Sequence, residues 1–529
     1  MIVAVAYLYT VFFFIAPNGK AGNPGSLEQP FATARQARDA VRKHRSRRPG
    51  SCYAVYFRAG RYFMPEPFEL SEADSCSLAC PILYAGFPGE RVVIHGGQTL
   101  EPAVFKKTTD PDILRRLPAG SRGRVVEIDL KKQGVTNFGT LKQRGFGQIP
   151  EPAPLELFID GERQPLARFP NAGILPIGKI HDPGAAPRFG DFSGRGARFG
   201  YEFAGPERWL EAADAWMHGR FSYGYCDDHL RIAEIDTAAK TIATAQPHLY
   251  GLLPGLYVDT SDWKQMAGHS LRGYYIYNLP EELDQPGEWF LDRASGLLYL
   301  FPPENFAAAI VEISLTETPL ARLSNTAHLV LENLEFQTSR GLGIYLENAH
   351  HITIVNCRFA NLGTAAVSMG QPLQNNRQGF SKEGAPLLDD WRATSFHHIS
   401  IKNCQIEKTG AGGIILTGGD RRALVSAENV ISGCSFSKTD QINFSYAAAI
   451  KLFGVGAEIS RCIFRDMKHM AIALHGNDHL IAYNLFERIC TDTDDMGAIY
   501  AGRDPSARGT KIFYNHFRDI LPVDTASQV

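Results

Sequence analysis

The sequence predicts an all-β protein: a right-handed parallel β-helix, or solenoid, with an N-terminal capping helix and an inserted antiparallel β domain. Turn-forming residues are abundant, since 50 glycines and 31 prolines occur among 529 residues. The second half of the chain repeats a short β-type pattern, whereas residues 101–312 show no such rhythm. A chain of this length exceeds what one compact core usually accommodates, so an elongated repeat with an additional domain is expected.

The repeat is clearest from about residue 325 onwards. Strand-forming segments recur, and the steps between their last residues are 23, 47, 30, 28, 22 and 31. The step of 47 is either two units or one unit with a long polar insert. Such a period with loops of variable length is typical of a parallel β-helix, in which stacking buries the inner face of each rung. The segments are ENLEF (332–336), VNCRF (355–359), KNCQI (402–406), SGCSF (432–436), SRCIF (460–464), AYNLF (482–486) and FYNHF (513–517).

A second strand-forming segment follows each of the first ones. Side chains alternate along a strand, so its residues divide into an inward and an outward set. The predicted inward residues are Ile344, Val367, Ile414, Ile450, Ile472 and Ile499, together with Leu346, Met369, Leu416, Leu452 and Leu474. The predicted outward residues are Tyr345, Ser368, Ile415, Lys451, Ala473 and Tyr500.

The nine cysteines are an odd number, which argues against a complete disulfide framework. Cys357, Cys404, Cys434 and Cys462 share one column of the repeat and are interpreted as small side chains stacked inside the coil, in preference to a redox or metal site. For Cys76 and Cys80 a local bridge, a weak metal site and unpaired thiols all remain open.

The N-terminal part divides into residues 1–12, a signal or first-strand segment, and residues 13–100, early rungs with a capping helix. The segment VFFFIA (11–16) fits a first strand as well as it fits part of an export signal. After it, small apolar residues and basic residues fall on opposite sides of a helix that would cover the open end of the stack. The apolar side has Ala32, Ala37, Ala40 and Val41, and the basic side has Arg35, Arg38, Arg42 and Lys43.

Residues 101–312 are assigned to the inserted, mostly antiparallel β domain, and residues 313–529 to the main β-helix. Within the insertion, ELDQPGEWFLDRASGLLYLFPPE (282–304) predicts a hairpin, because two apolar runs flank a turn and two prolines end the second run.

Composition excludes some classes of partner. The chain has 54 basic and 56 acidic residues, a formal charge of −2, and therefore lacks the basic field that nucleic acid or an anionic membrane would require. No pattern indicates a cofactor, so none is expected, and no metal site is assigned.

Chemistry-bearing residues concentrate in the late rungs, before and after their second strands. We expect them to converge on one flank of the coil. Asp504, Asp495 and Asp494 are the candidate catalytic residues. The candidate substrate-binding residues are Arg503, His475, Tyr500, Lys451, Asp478 and Tyr446.

This set suits sugar chemistry. Glycoside hydrolysis needs two carboxyl groups beside the anomeric carbon, and a neighbouring cation holds one ionised while burial keeps the other protonated. Aromatic faces such as those of Tyr500 and Tyr446 stack on sugar rings. The alternatives are a solvated acidic turn or a calcium site at residues 492–495, and an ion pair of Asp504 with Arg503 or Arg508.

The chain also resembles right-handed β-helix proteins grouped around glycoside hydrolase family 141, known for α-L-fucosidase and xylanase activities. The resemblance implies a catalytic role for Asp504, and a second acid in a later strand that would lie beyond Val529, so the chain is expected to stop in mid-repeat. The matching stretches are APNGKAGNPGSLEQPFATARQARDAVR, GERQPLARFPN, ELDQPGEWFLDRASGLLYLFPPE and DMGAIYAGRDPSARGTKIFYNHFRDI.

The leading hypothesis is therefore a hydrolase of plant cell-wall or related glycans, monomeric and located outside the cell or in the periplasm. A calcium-dependent polysaccharide lyase with Lys451 or Arg503 as its base is the second hypothesis. A glycan-binding β-helix without activity is the third.

Overall fold

The protein is a right-handed parallel β-helix whose three long sheets stack rung on rung. The computed structural model describes residues 10–253, 272–370, 392–393, 395–493, 495–502 and 504–520. From Tyr53 to Ala501, each rung contributes one strand to each sheet in turn.

The first sheet has ten parallel strands within the described ranges. They are Val11–Ile15, Tyr53–Phe57, Ile82–Gly86, Ala327–Glu332, His350–Val355, Ser400–Lys402, Val430–Ser432, Glu458–Ser460, Leu480–Ala482 and Lys511–Phe513. The nine strands of the second sheet that the structure describes are Gly60–Phe63, Val92–His95, Glu335–Ser339, Arg358–Leu362, Gln405–Glu407, Ser435–Ser437, Ile463–Arg465, Leu485–Ile489 and His516–Ile520.

The third sheet has eight described strands, and it is the sheet that carries the candidate site. Its strands are Phe68–Leu70, Ala321–Ser324, Ile344–Glu347, Val367–Met369, Ile414–Leu416, Ile450–Leu452, Ile472–Leu474 and Ile499–Ala501.

A single left-handed residue turns the chain from the first sheet to the second on each rung. Asn356 has φ 54° and Asn403 has φ 52°, and Gly433 takes the same place with φ 67°. Asn and Gly tolerate this backbone region better than other residues. The N-C and G-C pairs of the sequence repeat are therefore turn signals.

The interior of the coil consists of columns of similar side chains. The inward column predicted from the repeat is confirmed, since Ile414, Ile450, Ile472 and Ile499 pair in register on successive strands. Phenylalanine rings stack in the same way on the second sheet, with centroids 4.7–4.9 Å apart along Phe436, Phe464, Phe486 and Phe517. Each column repeats at the rung spacing of about 4.8 Å.

The stacked cysteines are also confirmed as buried thiols, each of the four bonding through sulfur to a backbone carbonyl. The alternatives left open for Cys76 and Cys80 are partly wrong, because Cys80 forms a disulfide with Cys52. The fold brings Cys52, at the start of one rung, within 5.1 Å of Cys80, at the start of the next, as measured between their Cα atoms. Cys76 is a free thiol.

The predicted capping helix is Ala34–Arg47. It begins with a capping box, in which Thr33 accepts from the backbone of Gln36 while the Gln36 side chain accepts from the backbone of Thr33. Its buried residues Ala34, Ala37 and Val41 join the core at the first rungs. The segment 11–16 does form the first strand of the first sheet. In the described part of the chain, no helix is long and apolar enough to cross a membrane.

Antiparallel sheets interrupt the coil between Gly97–Leu100 and Val311–Ser314, which pair with each other. The predicted hairpin is confirmed, with Trp289–Asp292 paired against Leu297–Leu300. The other described elements here are the helix Pro111–Arg116 and the strands Lys106–Lys107, Val126–Asp129, Leu157–Ile159, Glu162–Arg163, Arg168–Phe169, Ile180–Asp182, Arg198–Gly200, Trp216–Arg220, Asp227–Asp236, Thr241–Thr244 and Gly273–Tyr277. A short pair, Arg392–Ala393 with Gly419–Asp420, lies beside the later rungs.

Candidate functional site

The outer face of the third sheet carries the row of residues predicted to point outward. Lys451, Ala473 and Tyr500 pair in register on three successive strands. Lys451 is only 3% exposed, although it points away from the coil interior. Burial lowers the pKa of its ammonium group to about 7, so this lysine is partly neutral near neutral pH.

Glycine turns end these strands and set the direction of the residues before them. Gly454 and Gly476 have φ of 83° and 94°, and a Cβ on either would lie 2.0–2.2 Å from a carbonyl of the preceding rung. Only glycine fits so close a stack. The residues just before, Phe453 and His475, lie with their rings parallel, 5.0 Å between centroids.

Asp504 lies beyond the next strand in a fixed polar network. Its Oδ2 accepts from the Arg421 guanidinium at 2.7 Å, and its Oδ1 accepts from the backbone and hydroxyl of Ser506. Arg421 also donates to Asn477 at 2.8 Å and to Ser506 at 3.0 Å. Although burial opposes the charge, the bonds from Ser506 and Arg421 lower the pKa of Asp504 below its ordinary value. Asp504 is therefore an ionised carboxylate in a defined orientation.

His475 lies within electrostatic reach of this network. Burial lowers the pKa of its imidazole, and the negative charge of Asp504 opposes that shift, while Lys451 and Arg421 reinforce it. The carboxyl ends of the late strands thus hold an anion, a half-buried imidazole and an aromatic face beside one another.

The amino ends of the same strands hold a second group. Tyr446 lies 6.1 Å from Tyr500, 5.1 Å from His469 and 5.2 Å from Phe146 of the insertion, measured between ring centroids. Asp440 accepts from the backbone N–H groups of Lys468 and His469. Burial raises the pKa of the Asp440 carboxyl to about 6.

Buried polar contacts join this second group to the insertion. Asp227 accepts from the backbone of Phe444 at 3.0 Å and of Ser445 at 2.9 Å, and its Oδ2 lies 3.0 Å from Nε2 of His218. Arg220 of the same sheet forms an ion pair with Asp492 at 2.7 Å. The inserted sheet is therefore fastened to the loops that precede the late strands.

A cavity of about 290 Å³ lies between the insertion and the coil. Aromatic and basic side chains line it, and the Arg168 guanidinium lies 3.6 Å from the ring centre of Tyr275. The hydroxyls of Tyr275 and Tyr277 bond to Nδ1 of His218 and His229, both at 2.8 Å.

The structure separates the predicted site residues more than expected. Parallel strands place all amino ends on one side and all carboxyl ends on the other, so Tyr446 and Asp495 lie across the sheet from His475 and Asp504. The sequence predicted that these residues converge on a single flank. In the structure they lie at two opposite edges of one sheet face, and Lys451 and Tyr500 lie on the strands between those edges.

Two of the predicted residues are exposed in turns, away from the network. Asp495 is exposed at a left-handed turn position with φ 47°. Asp478 is exposed and its carboxylate lies against the backbone of Gly509. The ion pair that the structure shows for Asp504 is with Arg421, which was not among the predicted partners. Asp494 and Arg503 lie outside the described residues.

The predicted site residues did not include Arg421, Asn477 and Ser506 around Asp504, or Asp440 and Lys468 at the other edge. Arg421 lies in a turn 83 residues before Asp504, so no local motif links the two residues. The repeat alignment was the available signal, because it places GGDRR (418–422) after the strand that directly precedes the rung of Gly454.

Comparison with known proteins agrees with the fold. A family model described as "Right handed beta helix region" matches residues 392–519. A solved structure described as a glycoside hydrolase is similar with a TM-score of 0.58 and 14% identity, over 98% of this chain and 99% of that one. The protein therefore shares a β-helix fold found in a glycoside hydrolase.

Two further solved structures are similar at lower scores. One is the complex of XylC with xylose (TM-score 0.42, 10% identity, 90% of this chain and 64% of that one). Another is a GH136 lacto-N-biosidase from Eubacterium ramulus (TM-score 0.33, 10% identity, 96% of this chain and 60% of that one). The search of curated proteins finds no match.

Proposed function

We propose that the protein is a glycoside hydrolase whose site is the outer face of the third sheet, with Asp504 as its ionised catalytic carboxylate. The observation that carries this proposal is the orientation of Asp504 by Arg421 and Ser506, beside His475 and the ring of Phe453. A carboxylate in this state can act as nucleophile or as base toward an anomeric carbon.

The reaction requires a second carboxyl group that starts protonated. Asp495 and Asp494 are the candidates in this chain. Since Asp495 is exposed at the opposite edge of the face, we propose Asp494 as the residue that supplies the proton to the leaving oxygen. A separation of about 5 Å from Asp504 would produce retention of configuration, and about 6.5–9.5 Å would produce inversion. His475, Tyr500, Lys451 and Tyr446 would contact the sugar, as would Arg503.

We propose a plant cell-wall or related glycan as substrate, in keeping with the resemblance to family 141. The face between the two edges is a row of partly apolar side chains, with Tyr446 and Tyr500 as ring-stacking platforms. Neutral sugar rings stack on such platforms through their C–H faces.

Substituting Asp504→Asn tests this proposal. Asn keeps the shape but loses the charge, so hydrolysis should fall by about 10³-fold or more because the attacking or activating group is lost. Reducing-sugar release from a panel of plant glycans measures the effect.

The matched control is Asp466→Asn. Asp466 is a surface residue of the second sheet, paired with Arg488 on a different side of the coil. Its turnover should equal that of the unchanged protein. Full turnover by the Asp504 variant would remove this residue from the mechanism.

The lysine on the same face supports a second candidate function. A lysine with a pKa of about 7 can remove a proton as a base, which is the first step of polysaccharide cleavage by β-elimination. A lyase would form an unsaturated uronate product, visible by its ultraviolet absorbance, and would lose activity in Lys451→Met and with a calcium chelator. Saturated products from every active substrate would rule this function out.

A further inference from the structure

Five histidines lie together at the start of the first-sheet strands, on a different sheet from the face that carries the candidate site. They come from the sequences AHL, HHI and HHI of three successive rungs. The rings of His350 and His397 stack with centroids 4.7 Å apart, and those of His351 and His398 with centroids 4.4 Å apart. The tilted ring of His328 lies 4.5 Å from that of His351.

Ring nitrogens within the cluster approach each other closely. The two Nδ1 atoms of His350 and His351 are 2.9 Å apart, and those of His397 and His398 are also 2.9 Å apart. A nitrogen pair at this distance either shares one proton or offers two lone pairs to one cation. Two nitrogens bound tetrahedrally to the same zinc ion at 2.0–2.1 Å lie about 3.3–3.4 Å from each other, so a small ring movement would admit the ion.

The cluster supplies complete sets of three nitrogen ligands. One ring nitrogen each from His351, His397 and His398 lies within 4.8 Å of the others, and His328, His350 and His351 form a second such set. His351 belongs to both sets. An ion can therefore bind His351 together with His397 and His398, or together with His328 and His350. The two sets compete for His351, so only one of them can hold an ion at a time.

A carboxylate favours the set that contains His398. Glu428, on the next rung, lies 3.0 Å from Nε2 of His398. An ionised carboxylate holds the imidazole proton on Nε2 and leaves Nδ1 as a lone-pair donor, the arrangement common around zinc.

We propose that His351, His397 and His398, oriented by Glu428, bind one divalent transition-metal ion of the class that prefers imidazole, with Zn²⁺ as the reference ion. The ion links two adjacent rungs that a 47-residue step separates in sequence. It therefore stabilises the folded chain, because the three ligands come together only after the rungs have stacked.

The test is a calorimetric titration of Zn²⁺ into the full chain, purified without a histidine tag and freed of metal with a chelator. One ion should bind per chain and raise the unfolding temperature. His351→Asn and His398→Asn should each weaken binding at least tenfold, and Glu428→Gln should weaken it about tenfold through loss of orientation.

The asparagine substitutions suit the local backbone. His351 and His398 have φ of 53° and 55°, a region that asparagine adopts readily, so these variants keep the turn. His328→Asn, at φ 59°, tests the assignment, because the favoured set does not include it and its affinity should change less than threefold. His516→Asn, an exposed histidine on the last described rung, is the control and should bind normally.

Two results would overturn the proposal. Absence of stoichiometric Zn²⁺ binding, or normal binding by the His398 variant, would mean that the rings only stack. Normal binding by His398→Asn together with a loss in His328→Asn would move the ion to the other set. Neither result depends on glycan cleavage, so this test stands apart from the proposed function.

Discussion

The interior of the β-helix and the surface where the insertion meets it are built from opposite kinds of side chain. Inside the coil, each rung places the same apolar group above its predecessor, as the stacked rings of Phe436, Phe464 and Phe486 show. At the contact with the insertion, buried carboxylates face imidazoles, as with Asp227 and His218, both about 1% exposed.

The difference concerns how each region is stabilised. Apolar columns gain free energy from burial and dispersion, which do not depend on pH and add rung by rung. A buried ion pair gains little over an apolar pair, but removal of one partner is costly because the other loses its compensation. The coil therefore provides stability, and the contact provides a unique docking of the insertion together with sensitivity to pH.

The largest expected effect comes from opening one column. Phe464→Ala should lower the free energy of unfolding by about 4 kcal/mol, because the side chain is fully buried between two rings and its loss leaves a cavity. Ile463→Ala, at the adjacent 36%-exposed position, should cost less than about 1 kcal/mol. Equilibrium urea unfolding measures both, and similar losses would contradict the columnar core.

The next effect comes from breaking the docking contact. Asp227→Asn should cost about 3 kcal/mol, since the amide cannot accept the three bonds from His218, Phe444 and Ser445 and leaves buried donors unpaired.

The exposed pair of Arg35 and Glu66, whose side chains are 64% and 73% exposed, supplies the comparison. Glu66→Gln should cost less than about 1 kcal/mol. In the Asp227 variant, the insertion and the coil should no longer unfold in a single thermal transition. An unchanged transition would show that the contact does not hold the two regions together.

The smallest effect is a dependence on pH. Contacts with Asp228 and Cys226 raise the pKa of His248 to about 9 against its burial, so folding binds a proton at this residue. Its stabilisation is complete below the unfolded value of 6.5 and is lost as pH rises through about 9. The free energy of unfolding should fall by about 2–3 kcal/mol between pH 6.5 and pH 9. His248→Gln should flatten the fall, and an equally steep fall in that variant would exclude His248 as its cause.

The sequence predicted much of the coil but less of the site. Inward and outward columns followed from the repeat, because alternation along a strand is a local property that stacking only copies. The pairing of Cys52 with Cys80 was missed, since adjacency of two rung starts depends on the rise of the coil. The partner of Asp504 was missed for the same reason: Arg421 comes from a turn three rungs earlier.

By itself, then, the sequence determined the solenoid, its periodic core, its capping helix and the hairpin at 289–300. These features rest on local patterns of polarity and turn residues. Only the tertiary structure decided that Lys451 is buried, that Asp504 is ionised by Arg421, that Asp227 locks the insertion to the coil and that five histidines meet on one edge. Burial and charge pairing depend on which rungs and which insertion surfaces come together. Residues that meet in space in this way are far apart along the chain, so no local sequence pattern marks them.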